Sequence, residues 1–419
     1  MISLRFTFSV FILLIASSAG PGQEPNKVLP GEVGRVSLDD LRRQGSEALY
    51  NLDYEGARRR FQEMLLVFPE HPAGPQSMAT SLWLEELNRL RRLHATLYSA
   101  ESPQKGTAEV PDTGIVKEFR EWIRKAKQLS QTRLRKDSRE VEALYFLGAS
   151  EALNAVFAAS IERRFFAASR EASSAVEHHR EVLRLDPQFH DAELSIGLYS
   201  YVIGSLPLPI RMLASIGGMR GSKKRGLETL ERVAREGRWS RDFARVVLID
   251  LYKREKRWGE ALTVARDLGS RYPSNYGFQL QIADALVSRS VASNKMKNGS
   301  ASRVVNADEK EAFEIFDKLI NDAKGGFPLD VIHFRFGETL LAVKQPERAA
   351  KEFLVAARLA GSEPRLKSMA RLRAAQSMDL AGKRNEALAE YLAILKGPNV
   401  SNVHDQARRG LREPYRGPK

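Results

Sequence analysis

Apolar residues recur three and four positions apart in stretches of helical length, and short polar or Pro- and Gly-containing breaks separate the stretches. That period predicts amphipathic helices packed by one face. One spacing repeats along the chain. A small or aliphatic residue is followed twelve positions later by Ala, four further by a large residue (Ala in one copy), three further by another apolar one, and then by a Pro or Gly. Residues 38–71 show it as Gly45, Ala57, Phe61, Met64 and Pro69, with Tyr54 at the predicted turn. Residues 242–275 repeat it as Ile249, Ala261, Ala265, Leu268 and Pro273, with Trp258 at the turn. In residues 330–363 it reads Gly337, Ala349, Phe353, Ala356 and Gly361. Residues 368–401 carry Ala374-Ala375, Met378, Gly382, Ala387, Tyr391 and Ile394. Small side chains let two helix backbones approach, a large one fills the groove beside them, and a Pro ends the second helix.

A helical hairpin of about 34 residues with these positions is the tetratricopeptide template, and the chain resembles the tetratricopeptide repeat superfamily over its length after the first residues. The fold class is therefore all-α: an α-solenoid of antiparallel hairpins, about seven or eight of them, with the terminal pairs as caps. Three hairpins depart from the standard length. The gap is 27 from Gly148 to Ala175, 29 from Gly197 to Gly226 and 31 from Gln281 to Ala312, so each is expected to carry a long insert or longer helices. A further pair is predicted at Gln76–Ser99 and Ile115–Arg135, joined by a polar loop, Ala100–Gly114. Ser290–Val305 also reads as a loop. Residues 142–236 more loosely resemble the tetratricopeptide repeat protein 39 and inclusion-body-clearance group, through Ile196-Gly197-Leu198-Tyr199, Leu206-Pro207, Gly218-Met219-Arg220-Gly221 and Arg225-Gly226-Leu227. The superfamily resemblance implies recognition of a protein partner, whose identity it leaves open, in a concave groove. First-helix residues Tyr50, Arg245, Tyr252 and Arg335 are the candidates for that contact.

The first residues set the expected compartment. Arg5 precedes an apolar run, Phe6–Ile15, and small residues at 16–19 precede Gly20-Pro21. This is the order of a signal peptide, too short for an ordinary membrane span of about 20 residues. Residues 1–19 are read as the signal, cleaved near Ala19, and 20–36 as a linker. Residues 37–236 form an N-terminal array with extended hairpins, 237–410 a C-terminal array and 411–419 a basic tail. The mature chain is expected in the periplasm or outside the cell, and not as an integral membrane protein.

Charge and chemistry refine this picture. The chain of 419 residues has a formal charge of +14 and a pI near 9.8. Its cations recur in clusters, including Arg42-Arg43, Arg58–Arg60, Arg89 with Arg91 and Arg92, Lys223–Arg225 and Arg408-Arg409. They read as solvated helix faces, or as a surface for an anionic envelope polymer or lipid; nucleic acid does not fit an exported chain. There is no cysteine, so packing alone must hold the fold. The seven histidines, His71, His94, His178, His179, His190, His333 and His404, show no metal-ligand spacing. No catalytic constellation, cofactor motif or nucleotide loop stands out, and the reading is a scaffold rather than an enzyme. Glu55 with Arg59 and Glu231 with Arg235 read as surface pairs.

The least ordinary stretch is Tyr199–Met219, apolar with a single charge, Arg211, and broken by Pro207 and Pro209. It is either a buried insert or an exposed wall that meets lipid or a partner's apolar segment, with Leu206, Leu208, Ile210 and Leu213 as the contacts. With the Ala-rich stretch Ala149–Ala175, read as dense core or as an acyl-chain pocket, it supports the alternative of a carrier for a lipid or other apolar ligand.

Overall fold

The computed structural model describes residues 37–90, 111–216, 218–296, 306–322, 326–360, 364–400 and 402–417; the expected signal and linker lie outside the described residues. Among the described residues there are eighteen α-helices and no strand. The chain forms two compact units. The first holds described residues from 37–90, 111–255 and 270–275, and the second those from 256–269 and 276–417.

The first unit contains α1 (Leu38–Tyr50), α2 (Tyr54–Val67), α3 (Ala73–Arg89), α4 (Thr113–Lys136), α5 (Val141–Ser160), α6 (Phe165–Leu185), α7 (Glu193–Gly204), α8 (Leu208–Ile216), α9 (Lys223–Glu236) and α10 (Arg241–Arg254). A 3-10 turn, His190–Ala192, leads into α7. The second unit contains α11 (Trp258–Arg271) as far as Gly269, then α12 (Tyr276–Met296), α13 (Ala307–Asn321), α14 (Leu329–Ala342), α15 (Pro346–Leu359), α16 (Pro364–Leu380), α17 (Arg384–Leu395) and α18 (Val403–Arg412). Within each unit the main packing joins helices adjacent in sequence, such as α1 with α2, α5 with α6, and α14 with α15. The exception is α7, which pairs with α9 across α8. These are stacked antiparallel hairpins of the tetratricopeptide kind.

Local chemistry starts the helices where the pattern places them. The side chains of Asp53 and Asn306 accept the backbone N–H of Gly56 at 2.8 Å and of Glu309 at 3.0 Å. Asp112 accepts from both Gly114 and Ile115, at 2.8 and 3.1 Å. Each such cap satisfies a donor that the first helical turn leaves over. The standard hairpins turn on one left-handed residue, at Leu52, Lys256, Lys344 and Gly382. Each stands seven positions after the residue at the small site (Gly45, Ile249, Gly337 and Ala375). Small and large residues then lock the hairpins. A Cβ on Gly45 would lie 2.7 Å from Phe61 Cδ1, and one on Gly337 would lie 2.7 Å from Phe353 Cε1.

The three long gaps have three causes. Between Gly148 and Ala175 the helices themselves are longer, 20 residues in α5 and 21 in α6. Between Gly197 and Gly226 an additional helix, α8, is inserted. Between Gln281 and Ala312, α12 runs on to Met296. The expected loop Ser290–Val305 is thus corrected: its first part is helix, and residues 297–305 lie outside the described residues. Similarly α3 begins at Ala73 and ends at Arg89, not at Gln76 and Ser99, and α4 begins at Thr113, inside the expected loop Ala100–Gly114. Residues 91–110 lie outside the described residues.

The core of the first unit gathers Leu41, Phe61, Met64, Tyr145, Phe146, Val182 and Trp239. Burial of such side chains contributes roughly 1.5–3 kcal/mol each. Of the described helices, α5 is long and apolar enough to cross a membrane, but 94% of that stretch is buried inside the structure. It is a core helix. The Ala149–Ala175 stretch is accordingly dense packing through Ser160: Phe157 stacks on Phe119 with ring centroids 3.7 Å apart. Phe166, by contrast, is 92% exposed.

Candidate interaction surfaces

The first-helix residues chosen from the sequence are largely turned inward. Tyr50 is 6% exposed; its ring stacks on Tyr272 at 4.8 Å, and its carbonyl accepts from Asn275 Nδ2 at 2.8 Å. Tyr252 is 7% exposed and donates its hydroxyl to Glu231 at 3.0 Å. Arg335 is 8% exposed and pairs with Asp284 at 3.7 Å. Only Arg245 is half-open, beside Asp242 at 3.2 Å. Tyr50, Tyr252 and Arg335 thus have interior partners, because neighbouring helices cover positions that one hairpin alone leaves open. Glu231, read as a surface pair with Arg235, instead receives the Tyr252 hydroxyl.

Arg335 nonetheless marks an organised face. In the second unit, first helices of successive hairpins are tied by ion pairs. Asp284 of α12 meets Arg335 of α14, and Glu338 of α14 takes Arg373 of α16 through two bonds, Nε to Oε1 at 2.6 Å and Nη2 to Oε2 at 2.8 Å. The second contact is the fork geometry in which an Arg–carboxylate pair is strongest. Glu338 and Arg373 were not chosen from the sequence. The available signal was position: Glu338 sits one residue after Gly337 and Arg373 two before Ala375, and both are half-buried.

In the first unit a polar hub holds the extended hairpins. Asp191, 5% exposed, accepts the backbone N–H of Trp239 at 2.7 Å and of Ser240 at 2.6 Å through Oδ1, and that of Arg238 at 3.1 Å through Oδ2. Burial, then the charge of Asp191, pushes the nearby Tyr145 hydroxyl up to about 12. Arg42 is corrected from a solvated face to the interior. It is 4% exposed, with its guanidinium 4.5 Å from the Trp239 ring centre and 5.0 Å from that of Phe146. Next to the hub, His178 pairs with Glu151 at 2.8 Å, which raises its pKa.

The predicted apolar contacts fall on and before α8. Leu208 and Leu213 are 60% and 70% exposed, while Leu206 and Ile210 are half-buried. Of the two readings of Tyr199–Met219, the buried insert is corrected for α8, since Met212 and Ile216 are also 60% and 84% exposed. The glycines that follow serve packing. A Cβ on Gly226 would lie 2.5 Å from the Tyr201 nitrogen and 2.6 Å from the Gly197 oxygen, so α7 and α9 meet backbone to backbone.

No family model and no curated protein matches the sequence. Among solved structures, the chain is similar to the human IFIT1 dimer with m7Gppp-AAAA, at 14% identity and a TM-score of 0.44 over 90% of this chain and 81% of that one. It is also similar to yeast Tom70, at 13% identity and a TM-score of 0.36 over 89% and 80%. A third is TTC0263, a thermophilic TPR protein of Thermus thermophilus, at 14% identity and a TM-score of 0.32 over 58% and 95%. The fold assignment rests on the hairpin geometry described above.

Proposed function

We propose that the chain is an exported scaffold of the cell envelope that holds a peptide or helix of a protein partner along the first-helix face of its second unit, and that it binds rather than turns over what it meets. The observation that carries this reading is the run of ion pairs Asp284–Arg335 and Glu338–Arg373 across successive first helices. Side chains already held by their neighbours lose little further freedom when a partner arrives, which lowers the cost of binding. Export is supported by the order of charged, apolar and small residues over Met1–Ala19.

The test is native purification of the full chain from its own cell envelope, with mass spectrometry of what accompanies it. A stoichiometric protein that is lost from the Arg335→Ala, Arg373→Ala double variant, with helix content unchanged, is the expected result. A chain that elutes alone, or a partner retained by the double variant, overturns the scaffold reading. Sequencing the recovered N-terminus checks export: a start near Gly20 is expected, and a cytosolic chain beginning at Met1 contradicts it.

A further inference from the structure

Helix α8 carries its apolar face outward. At about 100° per residue, Leu208, Met212, Ile216, Pro209 and Leu213 share one arc of about 140°, and Ile210 and Ala214 lie on the opposite side. Ala214 is buried and Ile210 half-buried, so that side attaches the helix to the unit, chiefly to α7. The other side leaves Leu208, Met212, Leu213 and Ile216 60–84% exposed. A helix of a globular unit ordinarily has the reverse arrangement, and contiguous apolar exposure of this kind marks a contact surface.

The charges next to it are mainly positive, and the nearest carboxylate along the chain, Glu228, lies 3.9 Å from Lys224. From Leu194 to Leu227 the sequence holds five cations, Arg211, Arg220, Lys223, Lys224 and Arg225, and no carboxylate side chain. Arg211, Arg220, Lys224 and Arg225 are exposed, while Lys223 reaches back to Glu255 at 2.6 Å. The segment after α8 is fixed to α7: Ser222 donates its backbone N–H to Ser200 Oγ at 3.1 Å, and Ser200 Oγ donates to the Ser222 carbonyl at 3.2 Å. A Cβ on Gly221 would meet Ile203 Cβ at 2.7 Å. The start of α9, which carries Lys224 and Arg225, is thus held to α7, the helix on which α8 packs.

We propose that α8 with Arg211, Arg220, Lys224 and Arg225 is an interfacial contact for an anionic lipid surface. The four large apolar side chains enter the boundary of headgroups and acyl chains, and the guanidinium and ammonium groups lie at the phosphate level. A lipid surface fits better than a protein partner because the apolar arc stands on a single short helix, and because cations outnumber carboxylates beside it: Arg211, Arg220 and Arg225 join Lys224, which has Glu228 3.9 Å away. This contact is independent of the scaffold reading, which uses residues of the second unit.

The chain has no cysteine, so the Ile216→Cys variant of the full chain takes one environment-sensitive fluorophore at α8. Leu66→Cys, at an 82% exposed position on α2, is the control. Vesicles of phosphatidylglycerol and phosphatidylcholine are expected to shift the emission to the blue at position 216 and not at 66, and vesicles of phosphatidylcholine alone to leave both unchanged. Adding Lys224→Gln and Arg225→Gln should weaken the response on the order of tenfold, and raised salt should weaken it too. A probe at 216 that does not respond to anionic vesicles overturns the proposal, even where the N-terminal apolar run holds the chain to them. An equal shift with both vesicle types removes the anionic requirement and also overturns it. A shift brought about by a soluble envelope protein and not by vesicles assigns α8 to a protein partner instead.

Discussion

The imidazole of His179 lies against Gly148, so close that a Cβ on that glycine would fall 2.6 Å from Cδ2. His179 stands four positions after Ala175, where the standard hairpins carry Phe61 or Phe353, and it fills the same groove with a polar ring. Its bonds fix its tautomer. The Tyr145 carbonyl can only accept, so Nε2–H donates to it at 3.1 Å, and the Ser195 hydroxyl then donates to Nδ1 at 2.6 Å. Burial lowers the pKa from 6.5 to about 4.

The sign of the resulting pH dependence follows. Between about pH 6.5 and 4 the unfolded chain binds a proton at His179 that the folded chain refuses, so stability falls as the pH falls across that window. The loss approaches about 3 kcal/mol at its lower end. His178 opposes it: its pKa is raised by Glu151, so its contribution is present at low pH and is lost as the pH rises through the folded value. Denaturation midpoints for the wild type and His179→Gln, measured from about pH 7 to pH 4, should converge as the pH falls. Parallel curves would refute the neutral buried ring.

Close backbone contact between α7 and α9 makes Gly226 intolerant. Gly226→Ala should cost about 1–3 kcal/mol by forcing the two helices apart. Gly259, helical and with nothing near its missing Cβ, is the counter-case: Gly259→Ala should be neutral or stabilising by up to about 1 kcal/mol. Thermal melts of the two variants check the contrast.

The hairpin turns make a similar pair. Lys344 and Gly382 occupy the same turn position with φ of 58° and 74°. A side chain there costs roughly 1–2 kcal/mol, partly offset by the lower entropy of a non-Gly residue in the unfolded chain. Gly382→Ala should therefore destabilise by about 1 kcal/mol, and Lys344→Gly should be neutral to stabilising. Chemical denaturation of both variants decides it.

Asp191 holds three backbone N–H groups at the start of α10. Asp191→Ala leaves the donors of Trp239 and Ser240 buried without an acceptor, at a cost of about 2–4 kcal/mol. Ser240→Ala, which removes only a hydroxyl 3.3 Å from Tyr145, should cost about 1 kcal/mol or less. Hydrogen exchange at Trp239 and Ser240 should rise strongly in the first variant and little in the second.

The sequence by itself determined the all-α class and the spacing of the standard hairpins. Gly45 meets Phe61, and Gly337 meets Phe353, within one hairpin, so the packing rule is written along a short length of chain. It determined the residues of α8 as an apolar stretch broken by prolines, but not on which side they would face. Only the tertiary structure decided that Arg42 sits over both Phe146 and Trp239, that Asp191 serves the start of α10, that Tyr50 and Tyr252 are interior, and that α8 keeps its apolar arc in the open. Each of these depends on whether a helix distant in sequence arrives to cover a given face. Periodicity along a single helix shows which side chains are apolar, and it carries no record of which neighbour buries them.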